Sequence, residues 1–238
     1  MAPTPSMSET SPQFESLYNE MSTFVDTCMS GHDPSHNPPH VHRVVKLAVK
    51  ILDAERQLDP EVQYSGAVVK LAALLHDIGD RKYLPNMSTD TAKGASLDPK
   101  TMVEHALLQR GAPADLASRV QTIVSHVSYS TECKDPSVIR RLIDQGLVEL
   151  AIVQDADRLD AIGAIGIGRC FTFLGAQGRK FAGEGGWIMD NAIEHFGDKL
   201  VKIEGMMKTA TGRKMAYART ERLRVFEEWW EEEMKDSA

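Results

Sequence analysis

Apolar residues recur at three- and four-residue steps along most of the chain, and no persuasive strand-like alternation of apolar and polar positions occurs. Pro12–Met29 reads as a short amphipathic helix behind a Ser/Thr/Pro-rich tail over residues 1–11, which is expected to be disordered. The stretch 31–39 reads as a rigid loop. It ends with Asn37 as an N-cap and Pro38 as the first helical residue. Val41, Val44, Val45, Ala48, Ile51 and Leu52 then form one face of a helix running to about Arg56. Asp59-Pro60-Glu61 repeats the cap-then-proline start and opens a helix carrying Val68, Leu71, Leu74 and Leu75 as far as His76-Asp77, with Gly79 as its stop signal. Residues 81–97 form a polar loop. Asp98-Pro99 opens a helix that ends at Gly111, and Pro113 opens the next, with Leu116, Val120, Ile123, Val124 and Val127 on one face. Thr131–Pro136 is predicted as a loop. Ser137–Leu174 is predicted as helical throughout and is almost wholly apolar over Leu147–Ile167, the signature of a buried central helix. Gly175–Trp187 is glycine-rich and is expected to be a mobile surface loop. Two last helices are predicted over Ile188–Met207 and Gly212–Lys235, the second with a solvated glutamate-rich end. The expected fold is one all-α domain over residues 12–238.

Composition sharpens that picture. Of 238 residues, 42% are hydrophobic and 26% charged, enough to bury the core of a single domain. Aromatics are only 6%, so the core rests on aliphatic side chains, which again favours helix. The net charge of −7 argues against broad nucleic-acid binding, although a bound metal can still recruit a small phosphorylated molecule. Cys28, Cys133 and Cys170 are too few and too scattered for a disulfide framework or a cysteine zinc site. A reducing, cytoplasmic setting is therefore expected. There is no apolar run of the ~20 residues that a membrane span needs, and no secretory signal pattern.

Three features carry candidate chemistry. His76-Asp77 places an imidazole beside a carboxylate at a helix end, where neighbouring side chains can turn to one point. Gln154-Asp-Ala-Asp-Arg-Leu-Asp160 puts three aspartates and an arginine inside the most apolar helix. Asp157, Arg158 and Asp160 could form a structural ion network, but Asp157 has no basic partner one turn away, and a metal is the simpler compensating charge. His40 shares a helical stripe with Val44, Leu47 and Ile51 and should point inward, whereas His42 shares one with Lys46 and Asp53 and should point outward.

In this order, His40, His76-Asp77 and Asp157, the sequence resembles the HD-domain metal-dependent phosphohydrolases, whose motif is H…HD…D. The flanks resemble them as well: His40-Val-His-Arg-Val-Val, Leu74-Leu-His-Asp-Ile-Gly-Asp80 and Asp155-Ala-Asp-Arg-Leu-Asp-Ala-Ile-Gly163. The run from His195-Phe196 through Lys199-Leu200 to Arg219 resembles a subgroup of small, stand-alone members. The resemblance implies an all-α HD-domain bundle with a metal site in its core. It carries over His40, His76, Asp77 and Asp157 as ligands of one divalent ion, with manganese first and magnesium, iron or zinc as the other candidates. Asp155 competes for the last position, but it lies about 200° around the helix from Asp157.

The implied activity is metal-dependent hydrolysis of a phosphate ester or anhydride in a small metabolite, a nucleotide for preference. Asp80 would orient or deprotonate the attacking water, and Lys82 and Arg158 would contact phosphate. Two further readings stay open: a di-iron oxygenase that adds His105 and His126 as ligands, and a catalytically silent metal-binding protein. The role of His36 is left open, because Asn37 stands where relatives often have an aspartate.

Overall fold

The computed structural model describes residues 7–78, 98, 100–180 and 188–236. The described residues hold eleven α-helices and no strand: α1 (Pro12–Met29), α2 (Pro38–Leu58), α3 (Gly66–Leu75), α4 (Met102–Leu108), α5 (Ala114–Val127), α6 (Tyr129–Lys134), α7 (Pro136–Asp144), α8 (Glu149–Asp160), α9 (Gly163–Gln177), α10 (Asp190–His195) and α11 (Ala210–Asp236). A turn of π-helix over Phe196–Leu200 and a 3₁₀ segment over Val201–Met206 lead from α10 towards α11. The expected all-α class is what is found.

Helices α2, α3 and α8 pack on one another and make the centre, with α5 against α3 and α8, and α11 against α8 and α9. Every residue of α8 except Asp157 is buried, as its all-round apolar pattern predicts. Local chemistry explains the helix starts. Ser11 caps α1 through Phe14 N, and Asn37 caps α2 through His40 N, with Pro38 in the first turn. Ahead of α1, Met7 packs on the core and Glu9 reaches Arg56 at 3.0 Å, so the expected tail is anchored from there; residues 1–6 lie outside the described residues.

Several boundaries differ from the sequence expectation. The helix expected to open at Asp59-Pro60 starts only at Gly66. Asp59 instead closes α2, and Ser65 supplies the cap, its Oγ accepting from Val68 N while its own N–H is held by the buried Glu149. Part of the predicted Thr131–Pro136 loop belongs to α6. The expected continuous helix over Ser137–Leu174 is three helices. Gly146, at φ +99°, lies just past the end of α7, and Gly163, at φ +72°, is the first residue of α9; both breaks use the left-handed region that is open to glycine. At the second break α8 and α9 bend by 69°. A Cβ at Gly163 would also lie 3.0 Å from Cγ of Arg219. Gly163→Ala is therefore expected to cost about 1–2 kcal/mol of stability, read by urea denaturation. The loop predicted over Gly175–Trp187 starts later than expected, because residues 175–177 complete α9 and Gly178–Lys180 forms a 3₁₀ turn; its remainder, 181–187, and the predicted loop at 81–97 lie outside the described residues. No single helix among the described residues is long and apolar enough to cross a membrane.

Candidate metal centre

The end of α3, the start of α2 and the middle of α8 meet at one point in the core. His40 lies in the first turn of α2, and its side chain is 1% exposed; His42, two residues on, is 39% exposed and pairs with Asp26. The inward and outward phases expected of the two histidines are both observed. His76 and Asp77 follow the last residue of α3. Asp77 Oδ2 lies 3.3 Å from Nε2 of both His40 and His76, and the two Nε2 atoms are themselves 3.3 Å apart. Asp157 Oδ1 approaches from α8, 3.6 Å from His76 Nε2 and 3.8 Å from His40 Nε2. The imidazoles are sealed, whereas the Asp77 and Asp157 side chains keep 17% and 26% of their exposure, so the cluster opens on its carboxylate side.

The tautomers follow from the partners. His40 Nδ1 donates to Asp160 Oδ2 at 2.8 Å, and His76 Nδ1 donates to the Ala73 carbonyl at 2.8 Å. Both acceptors can only accept, so each neutral ring turns an Nε2 lone pair into the cluster. Asp77 Oδ2 is buried with no hydrogen-bond partner. Two lone pairs and the Asp77 carboxylate converging without another donor make a site for a cation, with Asp157 beside it, and the donor set fits a divalent metal. The electrostatics agree. Without an ion, burial disfavours charge on His76, but the carboxylates of Asp77 and Asp157 outweigh it and raise its pKa to about 9, so a proton takes the place of the cation on that ring and a metal has to displace it. Burial acts against the Asp77 carboxylate too, yet the neighbouring His76 and His40 hold it well below the usual range.

The three aspartates of α8 separate into three tasks. Asp155, the competing ligand, turns away from the cluster and accepts from Lys208 N, Thr209 N and Thr209 Oγ1 just ahead of α11. Asp157 faces the cluster. Asp160 binds His40, Arg43 and Arg169.

Beside Asp157 lies a cavity of about 240 Å³, walled by His36, Tyr129, Arg158, Phe173 and Lys199 among others. Arg158 pairs with Glu132, which also takes Lys208 Nζ at 3.0 Å, while its Nε and Nη1 are buried without a hydrogen-bond partner. Lys199 Nζ sits 4.7 Å over the Tyr129 ring. His36 donates Nδ1–H to, or accepts from, Ser35 Oγ at 2.7 Å, and burial lowers its pKa to about 4. The sequence offered Lys199 only as part of a subgroup-like run, with no role, and did not reach Glu132 or the partners of Asp160, because each acts through a residue far away in the chain. Asp80 and Lys82 lie outside the described residues.

His105 is exposed on α4, and His126 donates Nδ1–H to Thr122 O within its own helix. Among the described residues, the group found able to hold a metal contains neither of them. His105→Ala is expected to leave the metal content of the purified protein unchanged, as measured by elemental analysis.

An all-α bundle whose core brings two imidazoles and two carboxylates together defines a helical metal-binding scaffold. Residues 39–162 match the HD domain family, and the chain belongs to it. HD domains bind divalent metals, and the His40–His76–Asp77 cluster fits such a site. The uncharacterized protein YpgQ of Bacillus subtilis (strain 168) is 34% identical over 201 residues, covering 84% of this chain and 85% of that protein. The crystal structure of Bacillus subtilis YpgQ in complex with ADP has a TM-score of 0.67 and 29% identity, covering 93% of this chain and 96% of that one. An HD-superfamily hydrolase from Bacillus thuringiensis has a TM-score of 0.63 and 25% identity, covering 93% of this chain and 98% of that one.

Proposed function

We propose that the protein is a metal-dependent phosphohydrolase acting on a phosphate ester or anhydride of a small metabolite, a nucleotide for preference. The observation that carries this reading is the convergence of His40 Nε2, His76 Nε2, Asp77 and Asp157, with an orphaned buried carboxylate oxygen, at the edge of a cavity with cationic walls. His40, His76, Asp77 and Asp157 would hold the ion, manganese in first place. A divalent cation so held supplies Lewis-acid polarisation of a phosphoryl oxygen and a water of lowered pKa.

The chain's own residues do the rest. The open carboxylate side admits the phosphate group. Arg158, anchored by Glu132, aims its unpaired N–H groups at an anionic oxygen, and Lys199 adds a second positive charge on the same cavity. The aromatic faces of Tyr129 and Phe173 form apolar wall on which a planar group can rest. Asp80 would take the proton of the attacking water, and Lys82 would contact phosphate. A nucleotide is favoured because the similar YpgQ structure from Bacillus subtilis was solved in complex with ADP.

The test is Mn²⁺-dependent phosphate or pyrophosphate release from a panel of nucleoside mono-, di- and triphosphates and simple phosphate esters. Release that disappears with a chelator supports the reading. A wild-type protein loaded with each of Mn²⁺, Mg²⁺, Fe²⁺ and Zn²⁺ that releases nothing from any of them contradicts it. Arg158→Gln is expected to raise KM about tenfold while leaving the ion bound.

A further inference from the structure

We propose that Asp160 is a positioning residue for the metal centre, holding His40 by its Nδ1–H so that Nε2 stays fixed on the ion. The proposal rests on the metal-centre reading above. Asp160 is on α8, three residues beyond Asp157 and therefore almost one turn further along the same side of the helix. One turn of α8 thus serves the centre twice, directly through Asp157 and indirectly through Asp160 and His40. The Asp160 side chain is 2% exposed, and a carboxylate so placed tends to neutralise unless cations face it.

Two cations do. Arg43 donates from Nε to Oδ1 at 2.8 Å and from Nη2 to Oδ2 at 2.9 Å, and Arg169 donates from Nη1 to Oδ2 at 3.1 Å. Arg43 is three residues after His40 on α2, so the fork and the imidazole reach one carboxylate from one helix face. Arg169, on α9, also donates from Nε to the Ser35 carbonyl at 2.8 Å, fastening the loop that leads into α2.

The two histidines are therefore not equivalent. His76 leans on a neutral backbone carbonyl, whereas His40 leans on a carboxylate kept charged by two guanidinium groups. A charged partner fixes the tautomer, locks the ring and makes Nε2 the stronger donor to a metal. Arg169 and Ser35 reach the wall of the cavity, but Asp160 and Arg43 do not, so variants at those two residues read metal affinity rather than recognition of substrate.

Calorimetric titration of the metal-free full-length protein with Mn²⁺, together with the absorption spectrum of the Co²⁺-loaded form, tests the proposal. Asp160→Asn, which keeps the shape and removes the charge, is expected to weaken Mn²⁺ binding about 10–100-fold and to shift the Co²⁺ bands. His40→Ala should abolish binding. Asp160→Asn with wild-type affinity and an unchanged Co²⁺ spectrum overturns the proposal, even where its melting temperature falls, because that is the behaviour of a purely structural ion network. Should Asp160→Asn not fold, Arg43→Gln decides by the same readout. Its side chain is one-third exposed, it removes two of the donors that hold Asp160, and several-fold weaker binding is expected; unchanged affinity overturns the proposal. A wild-type protein that binds no Mn²⁺ contradicts the metal-centre reading itself, an outcome distinct from either variant's result.

Discussion

Asp77→Ala should lose metal binding and phosphate release together, with kcat/KM lower by about a thousandfold or more, because several kcal/mol of transition-state stabilisation go with the ion. The size of the effect follows from the position of Asp77. Its Oδ2 lies nearer to both Nε2 atoms than the Asp157 carboxylate does, and it is buried with no hydrogen-bond partner. Replacing it leaves two imidazole lone pairs and the single, more distant carboxylate of Asp157. The fold should survive, since Asp77 lies beyond the end of α3 and caps nothing, so circular dichroism is expected to match the wild type. Undiminished release by a folded Asp77→Ala protein would remove the basis of the proposed chemistry. Proportional loss of bound metal and of activity would tie the two to one site.

Asp155→Ala is expected to do the opposite: destabilise the protein by about 2–4 kcal/mol while the folded fraction keeps its metal. Asp155 accepts hydrogen bonds from Lys208 N, Thr209 N and Thr209 Oγ1 in a fully buried position. Removing the carboxylate strands the buried Thr209 N–H and the half-buried Lys208 N–H ahead of α11, the longest helix of the described residues. Burial raises the pKa of Asp155, and the bonds from Thr209 and Lys208, with the charge of Lys208, act against it, so the group depends on those partners as much as they depend on it. A melting temperature lower by about 10 °C with unchanged metal stoichiometry is the expected pair of results. Loss of metal with little loss of stability would instead make Asp155 the ligand.

These two aspartates mark how much the sequence could tell. Helical phase separates residues 155 and 157, and it turned His40 inward and His42 outward, because an i, i+2 offset places side chains on opposite sides of a helix. Amphipathic periodicity located α1, and capping chemistry located the start of α2, since Asn37 and Pro38 act within one turn of chain. Where the deciding contact is distant, local signals misled. The cap-and-proline pattern at Asp59-Pro60 is a plausible helix start, but Ser65 prevails because Glu149, 84 residues away, holds its N–H. The apolar run after Ser137 hid two breaks for a different reason: the near-continuous apolar sequence over 147–167 carries no phase that could reveal a change of direction, although only α8 is buried on all sides and Ile165 of α9 is 48% exposed. Only Gly146 and Gly163 mark those breaks, through the positive φ that they adopt. The guanidinium partners of Asp160 lie on α2 and α9, so the task of that aspartate depends on how the helices pack.

The most direct test of the metal centre is an anomalous-scattering experiment on crystals of the full-length protein soaked in Mn²⁺. A single manganese peak among His40 Nε2, His76 Nε2, Asp77 and Asp157, at about 2.0–2.3 Å from the nitrogen and oxygen donors, is the predicted result. No peak at that point, or a manganese bound instead beside Asp155, His105 or His126, would contradict it.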